Sequence, residues 1–290
     1  HGRELNGIAS IEAAYAQVDE RQLKGRVVFF PVMNPLSVWN RRQDYPTEAG
    51  RGGAPITAEY NMNRLWEKET VDIPAWEVCH RVWDQVGRHA DALVDLHGWT
   101  GQSLSLVWGL EKDRDLVRQF GLPWFMTKTQ ANSNGMLEAA ADDAGIPELT
   151  CELVPQNGIC RESVQFGTRG ILNVMRCLGM LDGDPVLPDT QYEFSQEHVE
   201  TPLTTPVAGL VVPQVERGEN VREGDTVARI LSLDNLDTLH EFKAPHDALV
   251  FNIGGAGLGT SGNSQAVVFP GQRIGLLKQV SRLWENREKV

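Results

Sequence analysis

The chain has no apolar run approaching the ~18 residues a helix needs to cross a bilayer, so no transmembrane helix is legible in its 290 residues. No signal-peptide pattern stands at its start. Basic residues are in deficit, 27 against 39 acidic ones, and the net charge of −12 argues against nucleic acid and anionic membranes as partners. Cysteine is scarce as well: Cys79, Cys151, Cys160 and Cys177 form no CxxC pair. They read as buried thiols of a reducing, cytoplasmic compartment, with a Cys151–Cys160 disulfide as the alternative. What remains is ordinary for a globular protein, and long enough for one large domain and one small one, each with its own core.

The chain opens His1-Gly2-Arg3-Glu4. A His and a Glu three apart at the mouth of a turn can both reach one divalent ion. Val94-Asp95-Leu96-His97 brings a second His at a strand end, and Leu149 to Leu153 brings a further Glu, Glu152. Two imidazoles and one carboxylate with a fourth position open form the ligand set of a catalytic zinc, and a second carboxylate is the general base such a site needs. The expectation is a zinc hydrolase. Taken alone, the first four residues read better as a solvated loop; His97 and Glu152 reverse that balance. Asp95, two residues before His97, falls on the same strand face and can orient the imidazole, or simply cap the strand. Glu152 stands between apolar residues, where a charge has little other use.

Residues 5–18 recur at helical spacing, and 74–90 read as a second amphipathic helix. Arg26 to Val32 is nearly all apolar and short, the pattern of a central strand covered on both faces, and 92–96 is another. Residues 36–62, interrupted by Gly50, Gly52, Gly53 and Pro55, read as a long functional loop. Helices are expected at about 111–120, 134–144 and 164–180, with a strand at 148–153. This alternation implies an α/β layered sheet with ligands gathered outside the carboxyl ends of its strands. The composition changes near Asp182-Gly183-Asp184-Pro185, so a domain over 1–190 and a small all-β domain over 191–290 with a short tail are expected. In the latter, 206–212 resembles 245–251 and 224–230 resembles 271–276, a weak repeat that suggests two similar β units folded together. Gly257 to Gly262 matches GxGxxG in letters only and reads as a turn, because a strand rather than a helix follows it. Lys243 is not at a hairpin tip, which argues against a swinging-arm carrier. Trp99, close to His97, is a candidate pocket wall.

In order, His1-Gly-Arg-Glu4 with Gly7, Asn34-Pro35, Asn61-Met-Asn-Arg64, Asp95-Leu-His97 and Glu152 resemble the motifs of the succinylglutamate desuccinylase/aspartoacylase family. The resemblance spans nearly the whole chain. It implies a carboxypeptidase A-like mixed sheet with flanking helices, followed by a β-barrel-sandwich domain of the lipoyl/biotinyl-like kind. It implies one zinc held by His1, Glu4 and His97, with Glu152 as base. It further implies that Asn63 and Arg64 grip a substrate carboxylate, guanidinium being a planar fork for that purpose. An upstream arginine would stabilise the oxyanion, and Arg51 is the preferred match over Arg42 and Arg41. A strand leading into His1 is also implied, so the chain is expected to lack its first strand. The reaction expected is hydrolysis of an N-acyl amino acid or a similar small amide, the small molecule being the partner and a homo-oligomer compatible with it. The alternatives are a metallocarboxypeptidase and a non-catalytic binding module.

Overall fold

The strands that carry His97 and Glu152 lie side by side in one mixed sheet. The computed structural model describes residues 1–46, 59–67, 72–132, 135–196, 198–256 and 265–286. Among these, β1 (Tyr45–Pro46) and β2 (Glu59–Tyr60) form a two-residue ladder. The main sheet follows with β3 (Leu93–His97), β4 (Leu106–Leu110), β5 (Trp124–Lys128), β6 (Glu148–Glu152) and β7 (Thr190–Ser195). The chain then builds β8 (Glu200–Thr204), β9 (Gly209–Pro213), β10 (Asn220–Val221), β11 (Thr226–Leu231) and β12 (Thr238–Lys243). It continues through β13 (Ala248–Ile253), β14 (Val267–Val268) and β15 (Arg273–Lys278), and returns to the main sheet as β16 (Arg282–Glu285). The main-sheet order is β16-β7-β5-β4-β6-β3. The β3–β6, β4–β5 and β5–β7 pairs are parallel, whereas β4–β6 and β7–β16 are antiparallel.

The mixed sheet with flanking helices agrees with the sequence reading. Helices α1 (Asn6–Tyr15), α2 (Pro35–Asn40), α3 (Pro74–Gln85), α4 (Arg114–Gln119), α5 (Leu137–Asp143) and α6 (Arg161–Cys177) fall close to the expected positions, α2 excepted. That helix lies in what reads as loop, started by Pro35 at its first turn and by Asn34, whose side chain accepts from Ser37 N. Two central strands, β4 and β5, went unread. β4 (Leu-Val-Trp-Gly-Leu) is a short apolar run and β5 a shorter one, Trp-Phe-Met before Thr127 and Lys128, and such runs are ambiguous by periodicity. Their interior faces fill the main core, where Val107, Phe125 and Leu149 meet Phe120 and Val174. α6 lies against α1 because Gly167 leaves room: a Cβ there would collide with Ser10 Oγ. That contact holds α1, and with it the opening motif, over the sheet.

The linker-like stretch near Asp182 leads first into β7, a strand of the main sheet, and only then into the all-β part. The last residues, read as a tail, form β16 beside β7. Between them stand two four-stranded sheets, β10-β13-β15-β8 and β12-β11-β9-β14. The sequence repeat maps onto these: β9 pairs with β11 in one sheet and β13 with β15 in the other. A cluster containing Leu104, Phe194, Leu249 and Phe251 ties the main sheet to the β unit. Trp99 belongs to this junction, its ring edge-on to Phe251 and its indole N–H donating to Leu104 O at 2.8 Å, so it packs between layers.

A further expectation fails. Arg26 to Val32 forms no strand and pairs with none among the described residues. Its side chains still alternate in the manner of a strand: Val27 and Phe29 turn towards the α1–α6 core, while Val28, Phe30 and Val32 are 45%, 39% and 38% exposed. The reason is the lack of a ladder partner, since a cavity separates it from the sheet edge at β3. All four cysteines are free, with Cys79 and Cys151 buried.

Candidate metal centre

His97 ends β3 and Glu152 ends β6, and the two are direct neighbours in the parallel register. Both therefore stand at the carboxyl edge of the sheet, where strand ends leave room for a ligand. The turn before α1 brings His1 and Glu4 to the same edge, with Glu4 N hydrogen-bonded to His1 O. Gly98 permits the approach, because a Cβ there would stand 2.6 Å from Leu153 O and touch the Glu4 side chain.

Glu4 is the centre of the constellation. Its Oε2 accepts from His97 Nδ1 at 2.8 Å, and its Oε1 lies 2.9 Å from His1 Nδ1. The two imidazole centroids are 5.0 Å apart. One donor atom each from His1, Glu4 and His97 falls within 4.8 Å of the others, close enough for one ion. Two observations fit a cation here. His1 Nδ1 is buried with no aligned hydrogen-bond partner among the described residues, and Glu152 Oε2 is in the same condition. Two neutral-imidazole nitrogens and a carboxylate oxygen also match the preferences of zinc.

The charges of the site act on one another at close range. Burial pushes the Glu4 carboxyl up, but the His97 charge and its hydrogen bond outweigh burial and hold it below the usual range. Asp95 behaves alike, its burial overcome by His97, to whose Nε2 it lies at 2.9 Å. Burial works against charge on His97, yet Asp95 and Glu4 together raise it well above its ordinary value. Glu152 goes the other way. Burial first, and then the charge of Glu4, push it up to about 8 despite His97.

Asn63 reaches the same place from a short 3-10 turn, Met62–Arg64. Asn63 Oδ1 accepts from Leu137 N at 3.0 Å, which fixes the amide and directs Nδ2 to within 3.1 Å of His97 Nε2. That ring nitrogen already donates to Asp95, so the Asn63 N–H meets another donor and remains available to an anion. Arg64 Nη1 donates to Asn63 O at 2.5 Å. Arg41 is the left-handed C-cap of α2, and its carbonyl accepts from Arg3 Nε at 3.3 Å. Arg42 N closes the same helix end on Ser37 O. Arg51 lies outside the described residues.

Three polar contacts went unread in the sequence. Gln43 Nε2 donates to Glu4 Oε1 at 2.6 Å and Gln156 Nε2 to the same oxygen at 3.2 Å. Asn61 Oδ1 lies 3.0 Å from His1 Nε2 and also accepts from Asn63 N at 2.9 Å. Isolated amides carry no spacing signal; only Asn61 stood within a motif.

The family model described as succinylglutamate desuccinylase/aspartoacylase catalytic domain matches residues 1–178. An N-alpha-acetyl-L-2,4-diaminobutyric acid deacetylase of Halomonas elongata is 22% identical over 267 residues, 86% of this chain and 74% of that protein. Among solved structures, a succinylglutamate desuccinylase/aspartoacylase from Rhodobacter sphaeroides superposes with a TM-score of 0.73 at 20% identity, covering 97% of this chain and 83% of that one. The product-bound ectoine utilization protein EutE (DoeB) of Ruegeria pomeroyi gives 0.74 at 18% identity, covering 96% and 82%. At such identities the structural matches speak for the fold.

Proposed function

Because the chain belongs to the succinylglutamate desuccinylase/aspartoacylase family, we propose that it is a zinc-dependent amidohydrolase cleaving the amide bond of an N-acyl amino acid or a similar small amide bearing a carboxylate. The observation that carries this reading is Glu4 set between His1 and His97, with the buried carboxyl of Glu152 beside His97 in register. The Halomonas relative, by its name a deacetylase of an N-acetylated diamino acid, supports the substrate class.

In this reading His1, Glu4 and His97 hold one zinc per chain. When bound, the ion supplies Lewis-acid polarisation of the amide carbonyl, a lowered pKa for water and a positive charge opposing the burial of Glu152. Glu152 accepts the proton of the attacking water and delivers it to the leaving amine. Asp95 fixes the ring of His97 through Nε2, which leaves Nδ1 directed at the ligand position. Gln43 and Gln156 hold the Glu4 carboxylate in place through its Oε1. Arg64, with the uncommitted N–H of Asn63, binds the substrate carboxylate. Arg51 is the proposed oxyanion partner, with Arg42 and Arg41 as alternatives. The two small sheets between β7 and β16 have a structural or gating role.

The test is zinc content measured together with a hydrolysis screen of N-acyl amino acids and C-terminal peptides. Stoichiometric zinc and turnover of acyl amino acids are expected. Turnover of peptides alone would make the chain a carboxypeptidase, and neither zinc nor turnover would make it a binding module.

A further inference from the structure

Residues 98–105 join His97 at the end of β3 to the start of β4. This loop lies between the metal edge and the β unit, with Thr100, Ser103, Leu104 and Ser105 all buried. Buried backbone carbonyls need donors, and here the donors come from two sides. On the metal side, Gln156 N donates to Trp99 O at 2.8 Å and Gln156 Nε2 to Gly98 O at 2.5 Å. That same Nε2 donates to Glu4 Oε1 at 3.2 Å. The base of the loop thus holds the amide that holds the central carboxylate of the site.

On the other side the loop is bound by the β unit. Ser103 forms an antiparallel bridge to Asn252 of β13. Leu104 N donates to Phe251 O at 3.2 Å and Ile253 N to Gln102 O at 3.4 Å, one bond on each side of that bridge. Arg217, in the turn between β9 and β10, donates from Nη1 to Gly101 O and, at 3.1 Å, to Ser103 O. Gly218 seats this turn on the main sheet: its N donates to Val250 O at 2.8 Å, and a Cβ there would stand 2.8 Å from the Trp124 ring. Arg217 itself is exposed, so its guanidinium reaches the loop from the rim and fills no core space. Two carbonyls of one loop taken by one charged nitrogen pin the loop's tip to the β unit. Within the loop, Ser103 N donates to Thr100 O at 3.0 Å and the Trp99 indole closes on Leu104 O, which ties the tip to the base.

We propose that Arg217 is a positioning residue for the metal centre. By anchoring the tip of the loop it sets the place of Gly98 and Trp99, through them the Gln156 side chain, and through Gln156 the Glu4 carboxylate. The two small sheets then contribute to the geometry of the site without supplying a ligand of their own. The inference rests on Glu4 being a zinc ligand, as proposed above.

A chain of hydrogen bonds is a route only if its two ends are coupled, so the experiment measures coupling. Zinc affinity is determined by chelator competition for the unaltered protein, Arg217→Ala, Gln156→Ala and the double variant. Arg217→Ala should weaken zinc binding by roughly 2- to 30-fold. The double variant should bind zinc no more weakly than Gln156→Ala alone, because Arg217 acts through that side chain. Arg217→Lys presents several donors on one nitrogen, as Nη1 does, and should recover most of the affinity. Unchanged affinity in Arg217→Ala overturns the proposal. So do losses that multiply in the double variant, since Arg217 would then steady the fold without acting through Gln156.

Amide exchange in the metal-free protein reads the same link without zinc. Arg217→Ala should speed exchange of the Gln156 N–H, the donor to Trp99 O, by about threefold or more, and leave the amides of β5 unchanged. Equal rates at Gln156 overturn the proposal. A faster Gln156 amide in a protein that takes up no zinc would overturn the metal reading instead, while supporting the link from Arg217 to Gln156.

Discussion

Glu4 and His97 are 93 residues apart in the chain, and Glu4 Oε2 stands 2.8 Å from His97 Nδ1. On its other side His97 meets Asp95, two residues earlier on the same strand face, with Nε2 2.9 Å from Oδ2. The imidazole is thus gripped at both nitrogens by carboxylates, one from the turn before α1 and one from its own strand. A cation between His1, Glu4 and His97 would take over the Nδ1 position, and the Asp95 contact would persist to hold the ring.

Asp95→Asn is therefore expected to weaken zinc binding 10- to 100-fold, in the range seen for carboxylates that orient ligating histidines. Competition against a chromogenic chelator measures it, with thermal unfolding as the control for folding. Unchanged affinity would reduce Asp95 to a strand-end cap.

Glu152→Gln conserves shape and removes the base. The variant should retain one zinc per chain and a similar KM, while kcat falls about 10²- to 10⁴-fold, the usual worth of a positioned general base. Metal analysis and steady-state kinetics on the same preparation decide it. Turnover near that of the unaltered protein sinks the assignment of Glu152.

Arg64→Ala removes the guanidinium proposed to meet the substrate carboxylate. A hydrogen bond to a charged group is worth ~1.5–3 kcal/mol, so KM should rise by roughly 10- to 100-fold with a smaller change in kcat. Arg64→Lys keeps charge but not the planar fork and should recover only part of the loss. An unchanged KM in the alanine variant would place the carboxylate grip elsewhere.

The parts of the site legible in the sequence were those whose chemistry depends on type and spacing. His1 with Glu4, Asp95 with His97, and Asn63 with Arg64 are each close neighbours in the chain, and the structure brings His1, Glu4, Asp95, His97 and Asn63 to one strand edge. Gln43 and Gln156 were illegible because a neutral amide gains meaning only from the atom it faces, here Glu4 Oε1. In the fold, the repeat over 206–276 was readable because each half forms the central pair of one small sheet. β4 and β5 were not, being apolar runs too short to reveal a period. Arg26–Val32 shows the opposite failure: its composition is right for a strand, but the sequence does not say whether a neighbour is present to complete the ladder.

The buried carboxyl of Glu152 also predicts how stability changes with pH when zinc is removed by a chelator. Its folded pKa of about 8 lies above the ordinary carboxyl value of 4.5, so between those values the folded protein holds a proton that the unfolded chain has released. Stability from this group is complete below about pH 4.5 and declines as pH rises towards 8, by ~1.4 kcal/mol per unit over that window. Glu148, raised mainly by burial, and His97, raised by Asp95 and Glu4 against burial, push in the same direction. Glu4 and Asp95, both held low by His97 against their burial, act oppositely: their contribution is present at neutral pH and is lost on acidification. The metal-free protein should thus be most stable in mildly acidic solution and weaken towards pH 8. Urea unfolding at pH 5, 6, 7 and 8 in the presence of chelator measures the slope. Glu152→Gln, which cannot titrate, should flatten it by about one proton's worth, and parallel slopes for the two proteins would show that Glu152 is ionised throughout.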